Sequence, residues 1–214
     1  MNRATRISVS TIGVGMAISG FIHGFFETLQ GSTPTNGLII QAIGDEQQFW
    51  AYGTEEAFTI VPNFLNTGLL AILVSLAIVV WCVGYVHKKN GSAVFILLFG
   101  LLLLVGGGIA QVVFFIPTWL VSRRINHPLT WWRSVLPENS LGTIGKLWPY
   151  SLAAGGAAFL VALEIAIFGY VPGLGSGDAE TVLAICWSLL LGALILFIVT
   201  FISGFAYDIQ VQKG

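Results

Sequence analysis

The chain has 214 residues, 56% of them hydrophobic and only 9% charged, with a mean hydropathy of +0.86. A soluble domain carries about 25% charged residues, so the composition excludes an ordinary soluble fold and reads as an integral membrane protein. Nine Lys and Arg nearly cancel ten Asp and Glu, leaving no basic field for nucleic acid, and the length suits one transmembrane helical domain over 1–214.

Five apolar runs reach the roughly 20 residues that cross a hydrocarbon core. They cover 7–26, 58–85, 92–121, 148–170 and 179–205. In lipid each backbone must satisfy its own hydrogen bonds, so the expected fold is all-α, a polytopic transmembrane bundle of five helices with two longer interfacial loops. The first run follows a short basic segment, as in a signal peptide. It continues to Phe26 without an A-x-A-like cleavage site and is read as the first transmembrane helix.

Ser19, His23 and Glu27 recur every four residues near the end of that helix and share one face. Gly20 and Gly24 lie beside them as a GxxxG pair, which lets a neighbouring helix approach closely. The stripe reads either as a proton or cation site lined by two helices, or as a His–Glu hydrogen bond that holds a helix end. One imidazole and one carboxylate are too few for a metal, which would also need Glu164 or acids of the next loop. That loop, 27–57, has five acids and no Lys or Arg. Its apolar patches, 38–43 and 49–52, are expected to fold back over the bundle as a cap.

The second run opens with Thr59, Pro62, Asn63, Asn66 and Thr67, level with His23 and Glu27. Asn63 and Asn66 either line a polar pocket with them or act as interhelical glue. The third run contains Gly106, Gly107, Gly108, Gln111 and Pro117. Three bare glycines are where a helix bends or unwinds most easily, and broken helices line transporter cavities; tight packing of a small-residue face is the alternative. Cys82 and Cys186 lack CxxC spacing and read as buried small hydrophobes.

The second long loop, 122–147, combines Arg123, Arg124 and Arg133 with Trp131 and Trp132. It reads as an interfacial amphipathic helix in an aromatic belt, contacting lipid headgroups or a partner subunit. His87 and His127 are expected to be solvated. Glu164 falls within the fourth run at apparent mid-membrane depth, where a carboxylate costs about 2.5–3.5 kcal/mol and must face a protein interior or a wet cavity. It is expected to form the floor of an outward-facing polar cavity, the alternative being a protonated packing residue that stands alone.

The positive charges divide almost evenly across five crossings. Arg3, Arg6, Lys88 and Lys89 fall on one side; Arg123, Arg124, Arg133, Lys146 and Lys213 fall on the other. The first helix and the acid-only first loop place the N-terminus in the cytoplasm and the C-terminus outside.

The segments VPNFLNTGLLAI (61–72), HKKNG (87–91), LLLVGGG (102–108) and RINHPLTWWR (124–133) resemble a group of uncharacterised bacterial multispan integral membrane proteins. The resemblance spans 62–133 and implies a bacterial cell membrane, with no function to transfer. From the residues, the expected function is a small ion- or proton-coupled transporter or channel with a buried polar site at Glu164, His23, Glu27, Asn63, Asn66 and Gln111. The alternative is a non-enzymatic accessory or structural subunit of a membrane complex. No HExxH and no nucleophile–base pairing argue for an enzyme, and no cofactor is required. The expected partners are the lipid bilayer and either further membrane subunits or copies of the chain.

Overall fold

The computed structural model describes residues 1–174 and 178–212. Helix α1 (Arg3–Leu29) leads into a loop holding the short antiparallel strands β1 (Ile39–Gln41) and β2 (Glu56–Phe58). Helices α2 (Phe64–Gly84), α3 (Gly91–Leu104) and α4 (Val112–Ser122) follow. The short helices α5 (Thr130–Val135) and α6 (Leu141–Gly145) lead to α7 (Trp148–Phe168) and α8 (Ala179–Val211). The fold is an all-α bundle. Four helices, α1, α2, α7 and α8, are long and apolar enough to cross a membrane.

The third predicted span is not one helix. It breaks at Val105–Gln111 into α3 and α4, about 21 and 17 Å long, each too short for a core of about 30 Å. The pair also doubles back. Ser92 at the start of α3 and Arg123 after α4 line one groove, while the intervening turn pairs Val105 with Thr59 at the far end of the bundle. The stacked rings of Phe99 and Phe115, 5.3 Å apart, hold the two arms together.

This changes the parity of the chain. With an even number of full crossings, both ends of the described chain lie at one end of the bundle, contrary to the expectation of a C-terminus on the opposite side. Asp208 near the end of α8 accepts hydrogen bonds from the Ala4 and Thr5 amides, both at 2.9 Å, and from the Thr5 hydroxyl at 2.7 Å. It supplies the cap that Asn2 does not give α1. Asn2 instead donates to the Arg124 and His127 carbonyls, and Asn126 to that of His87. Gly145 packs on Tyr207. Every described Lys and Arg is therefore gathered at this end. The other end carries Asp45, Glu46, Glu55, Glu56, Asp178 and Glu180. Lys213 and residues 175–177 of the α7–α8 connection lie outside the described residues.

Helix α1 is the axis of the bundle, with 56% of its apolar window buried against 22% for α8. Small residues set its contact with α2. A Cβ on Gly24 would come within 2.7 Å of the Gly68 carbonyl oxygen, and one on Gly20 within 2.9 Å of Ser75 Oγ. The GxxxG expectation holds for this reason: the backbones touch where side chains would separate them. The main core joins Val9, Ile12 and Met16 of α1 to Ile78 of α2, Phe95 and Phe99 of α3, and Phe197 and Phe201 of α8. Cys82 and Cys186 are free and buried.

The first loop forms the expected cap. Ile43 packs with Phe26, Leu163 and Ile167, and the Trp50 indole donates to the Ala166 carbonyl at 2.9 Å.

Candidate functional site

The polar face of α1 turns inward. Ser19, His23 and Glu27 are 4%, 4% and 0% exposed, one turn apart along the helix. Each meets a different feature of the capped, acidic end.

Ser19 accepts a hydrogen bond from the Gln111 amide at 3.2 Å. His23 Nε2 makes a short hydrogen bond with Glu55 Oε2, a residue of the first loop just before β2. Because a carboxylate only accepts, Nε2 carries the proton in that bond. The Glu55 side chain keeps 33% exposure, so the pair links a buried imidazole to the surface. Burial alone would push the Glu55 carboxyl up. The His23 charge and the hydrogen bond outweigh it and hold the carboxyl below its usual range.

The α3–α4 break is what brings bare backbone against this face. Gly106 and Gly108 have φ of +100° and +89°, conformations that L side chains rarely adopt. A Cβ at Gly108 would lie 2.7 Å from His23 Cε1, and one at Gly106 would collide with the Glu27 carboxylate. Nearby backbone amides are engaged elsewhere: Gly106 donates to the Phe58 carbonyl and Gly107 to that of Leu102. Neither oxygen of Glu27, nor Nδ1 of His23, nor the Ser75 hydroxyl has a hydrogen-bond partner among the described residues. Buried polar groups in native proteins are nearly always partnered, so two such groups one turn apart are the chemical anomaly of the molecule.

Beside the column lies a cavity of about 40 Å³, lined by Ser19, Glu55, Gly108, Gln111, Phe114 and Phe159 among others. A water needs about 10–15 Å³ and two to four polar partners, and this space meets both conditions. Toward the basic end the column stops. Met16 and Ile12 occupy the next inward positions of α1, and Phe114 packs edge-on against Phe159 and Phe197. Beyond these rings a second cavity of about 170 Å³ is lined by Ile12, Met16, Phe159 and Phe197.

Glu164 does not belong to it. The helix ends at Phe168, so Glu164 stands one turn from the acidic end, with its side chain on the exposed outer face. The apolar run continued to Tyr170 and made the residue look deeper than it is; near a helix end, a long acid reaches the headgroup region at little cost. Asn63 and Asn66 are also elsewhere. Asn63 caps α2 by accepting from the Asn66 amide at 3.1 Å and donates its own amide to Ser32, and Asn66 is exposed. The second helix starts at Phe64, later than the apolar run, because Thr59 pairs with Val105 as extended chain. Thr59 and Thr67 instead bond each other at 2.6 Å, and Thr67 donates to the Val105 carbonyl, pinning the broken turn. Pro117 lies within α4, two turns from the break.

Of the residues singled out from sequence, the structure brings together His23, Glu27, Gln111 and the glycines. It adds Glu55, which the sequence offered only as one of five acids in a loop. Among the described residues no group of three or more His, Cys, Asp or Glu could hold a metal ion. Imidazole can take a proton at one nitrogen and release one from the other, and here one nitrogen is bonded to Glu55 while the other has no partner among the described residues.

In comparisons with known proteins, the chain matches no family model, no curated protein and no solved structure. The class that the fold defines is a multi-pass helical membrane protein.

Proposed function

We propose that the protein is a small proton- or ion-coupled transporter or channel whose working groups are Glu55, His23 and Glu27. Glu55 collects the proton at the acidic end, His23 relays it, and Glu27, one turn nearer that end on α1, holds it. The observation that supports this reading is Glu27: a fully buried carboxylate with neither oxygen partnered, one turn from an imidazole nitrogen in the same condition. A purely structural acid would have a donor. On this reading, passage to the basic end runs past the rings of Phe114, Phe159 and Phe197.

The proposed orientation places the basic end, with both ends of the described chain, in the cytoplasm, by the preference of Lys and Arg for that side. The site then faces the exterior. The resemblance of 62–133 supports a bacterial cell membrane.

Proteoliposomes loaded with a pH-sensitive dye test the proposal. Under an imposed proton gradient the wild type and Glu164→Gln should acidify the lumen, and Glu27→Gln should not. Equal acidification by wild type and Glu27→Gln refutes the assignment. An accessory-subunit role is the second reading, supported by the broad apolar outer face of α8 at Trp187, Leu191 and Ile195. A monodisperse particle without companions after mild detergent extraction counts against it.

A further inference from the structure

The basic end contains a trough that the proton pathway does not use. Its larger part, about 580 Å³, lies between the last turn of α4 and α5, with Phe205 of α8 among its lining residues. Its smaller part, about 250 Å³, runs beside the α2–α3 turn. The two share Ser92, Arg123 and His127, so they form one continuous depression.

Its charge is of one sign. Arg123 lines both parts, Arg124 the larger, and Lys88 and Lys89 the smaller, and no lining residue is acidic. None of these four cations is in an ion pair among the described residues. Helix α3 also begins in the trough, with no side-chain cap on its first turn. The field is felt nearby: partial desolvation, then the charges of Arg6 and Lys88, hold the His87 imidazole below its usual value. Four unpaired cations around an uncapped helix start form a receptor for a phosphate group.

The walls narrow the source. Trp131 and Leu120 line the trough and are 61% and 49% exposed, and Trp132 packs at a tilt against Phe205 with ring centroids 4.8 Å apart. Arg123 lies over the Trp119 ring at 5.6 Å. A free phosphate has no use for an apolar wall beside its site, whereas a phospholipid brings an acyl chain with its phosphate. The trough also sits where α4 leaves the apolar zone, which is headgroup depth.

We propose that this trough binds an anionic phospholipid, its phosphate between Arg123, Arg124, Lys88 and Lys89 and an acyl chain along Leu120 and Trp131. It is independent of the proton site, which lies at the opposite end of the bundle.

Native mass spectrometry of the detergent-solubilised protein tests this, with phosphatidylglycerol and phosphatidylcholine of identical chains added in competition. The wild type should retain phosphatidylglycerol preferentially. The double variant Arg123→Gln/Arg124→Gln should lose that preference by about tenfold or more, because each basic residue near the headgroups contributes substantially to anionic-lipid affinity. Lys146→Gln, a cation at the same end but outside the trough, should keep it. Both Arg side chains are exposed, and the Arg124 contact to Asn2 uses only its backbone, so the double variant retains its fold; an unchanged melting temperature checks this. Equal retention of the two lipids by the wild type, or undiminished preference in the double variant, overturns the proposal. Millimolar inorganic phosphate that displaces bound lipid no better than chloride supports a lipid site. Saturable phosphate binding without lipid preference assigns the trough to a free anion and also overturns it.

Discussion

Gly108 is where the fold and the candidate site depend on one missing methyl group, and Gly108→Ala separates their contributions. At φ +89° an alanine pays about 1–2 kcal/mol for left-handed backbone. Its Cβ would also stand 2.7 Å from His23 Cε1, when carbon contacts settle near 3.5–4.0 Å. His23 cannot swing away freely, because its other side is held by Glu55 and the helix behind it packs on α2. Overpacking of this kind costs about 1–3 kcal/mol. The sum is about 3 kcal/mol of destabilisation. Gly100 supplies the contrast: it lies within α3, nothing comes within 4 Å of a Cβ there, and alanine should stabilise the helix by about 0.5–1 kcal/mol. Reversible unfolding by sodium dodecyl sulfate in mixed micelles, followed by far-UV circular dichroism, measures both. A Gly108→Ala protein within 1 kcal/mol of wild type, or equal to Gly100→Ala, refutes the argument that bare backbone is required against His23.

Three further outcomes are expected. Asp208→Ala should cost about 3 kcal/mol in the same assay, since three charge-assisted bonds to the first turn of α1 are lost and water recovers only part of them; Asp208→Asn should lose less. Because the Glu55 carboxyl is held below its usual value in the folded state, its contribution is fully present above the unfolded value and is lost as pH falls through the folded one. Hydrogen-exchange protection in the cap, 42–58, taken relative to the intrinsic rate at each pH, should therefore fall in acid, and in Glu55→Gln it should be low and insensitive to pH over that window. Finally, a membrane-impermeant maleimide added outside intact cells should label Asn36→Cys and not Lys89→Cys, both exposed positions at opposite ends, while Cys82 and Cys186 stay unreactive by burial; the reverse pattern refutes the proposed orientation.

Much of this molecule is determined by local sequence. Apolar length alone specifies α1, α2, α7 and α8, because a helix long enough to span is the only structure that satisfies its backbone in lipid. The four-residue spacing of Ser19, His23 and Glu27 places them on one face, and Gly20 and Gly24 announce a close neighbour on α1. The glycine triplet marks where the third run breaks. The aromatic, basic segment around Trp131 and Arg133 becomes the short helix α5 at the end of the bundle.

What tertiary structure decided is which of these features meet. Hydropathy counts apolar residues and cannot see that 92–121 turns back on itself; that depends on Ile60, Phe58 and Glu56 offering backbone partners to the broken turn. The reversal changes the parity of every later helix, moves α7 and α8, and turns an even split of positive charge into a single basic end. It also selects the acid. A carboxylate in an apolar run is conspicuous in sequence, yet Glu164 faces outward one turn from a helix end. Glu27, beside what looked like the water boundary, is sealed beneath a loop whose Glu55 reaches down to His23. Depth in a membrane bundle is set by what covers a residue, and covering is a long-range contact that no local pattern carries.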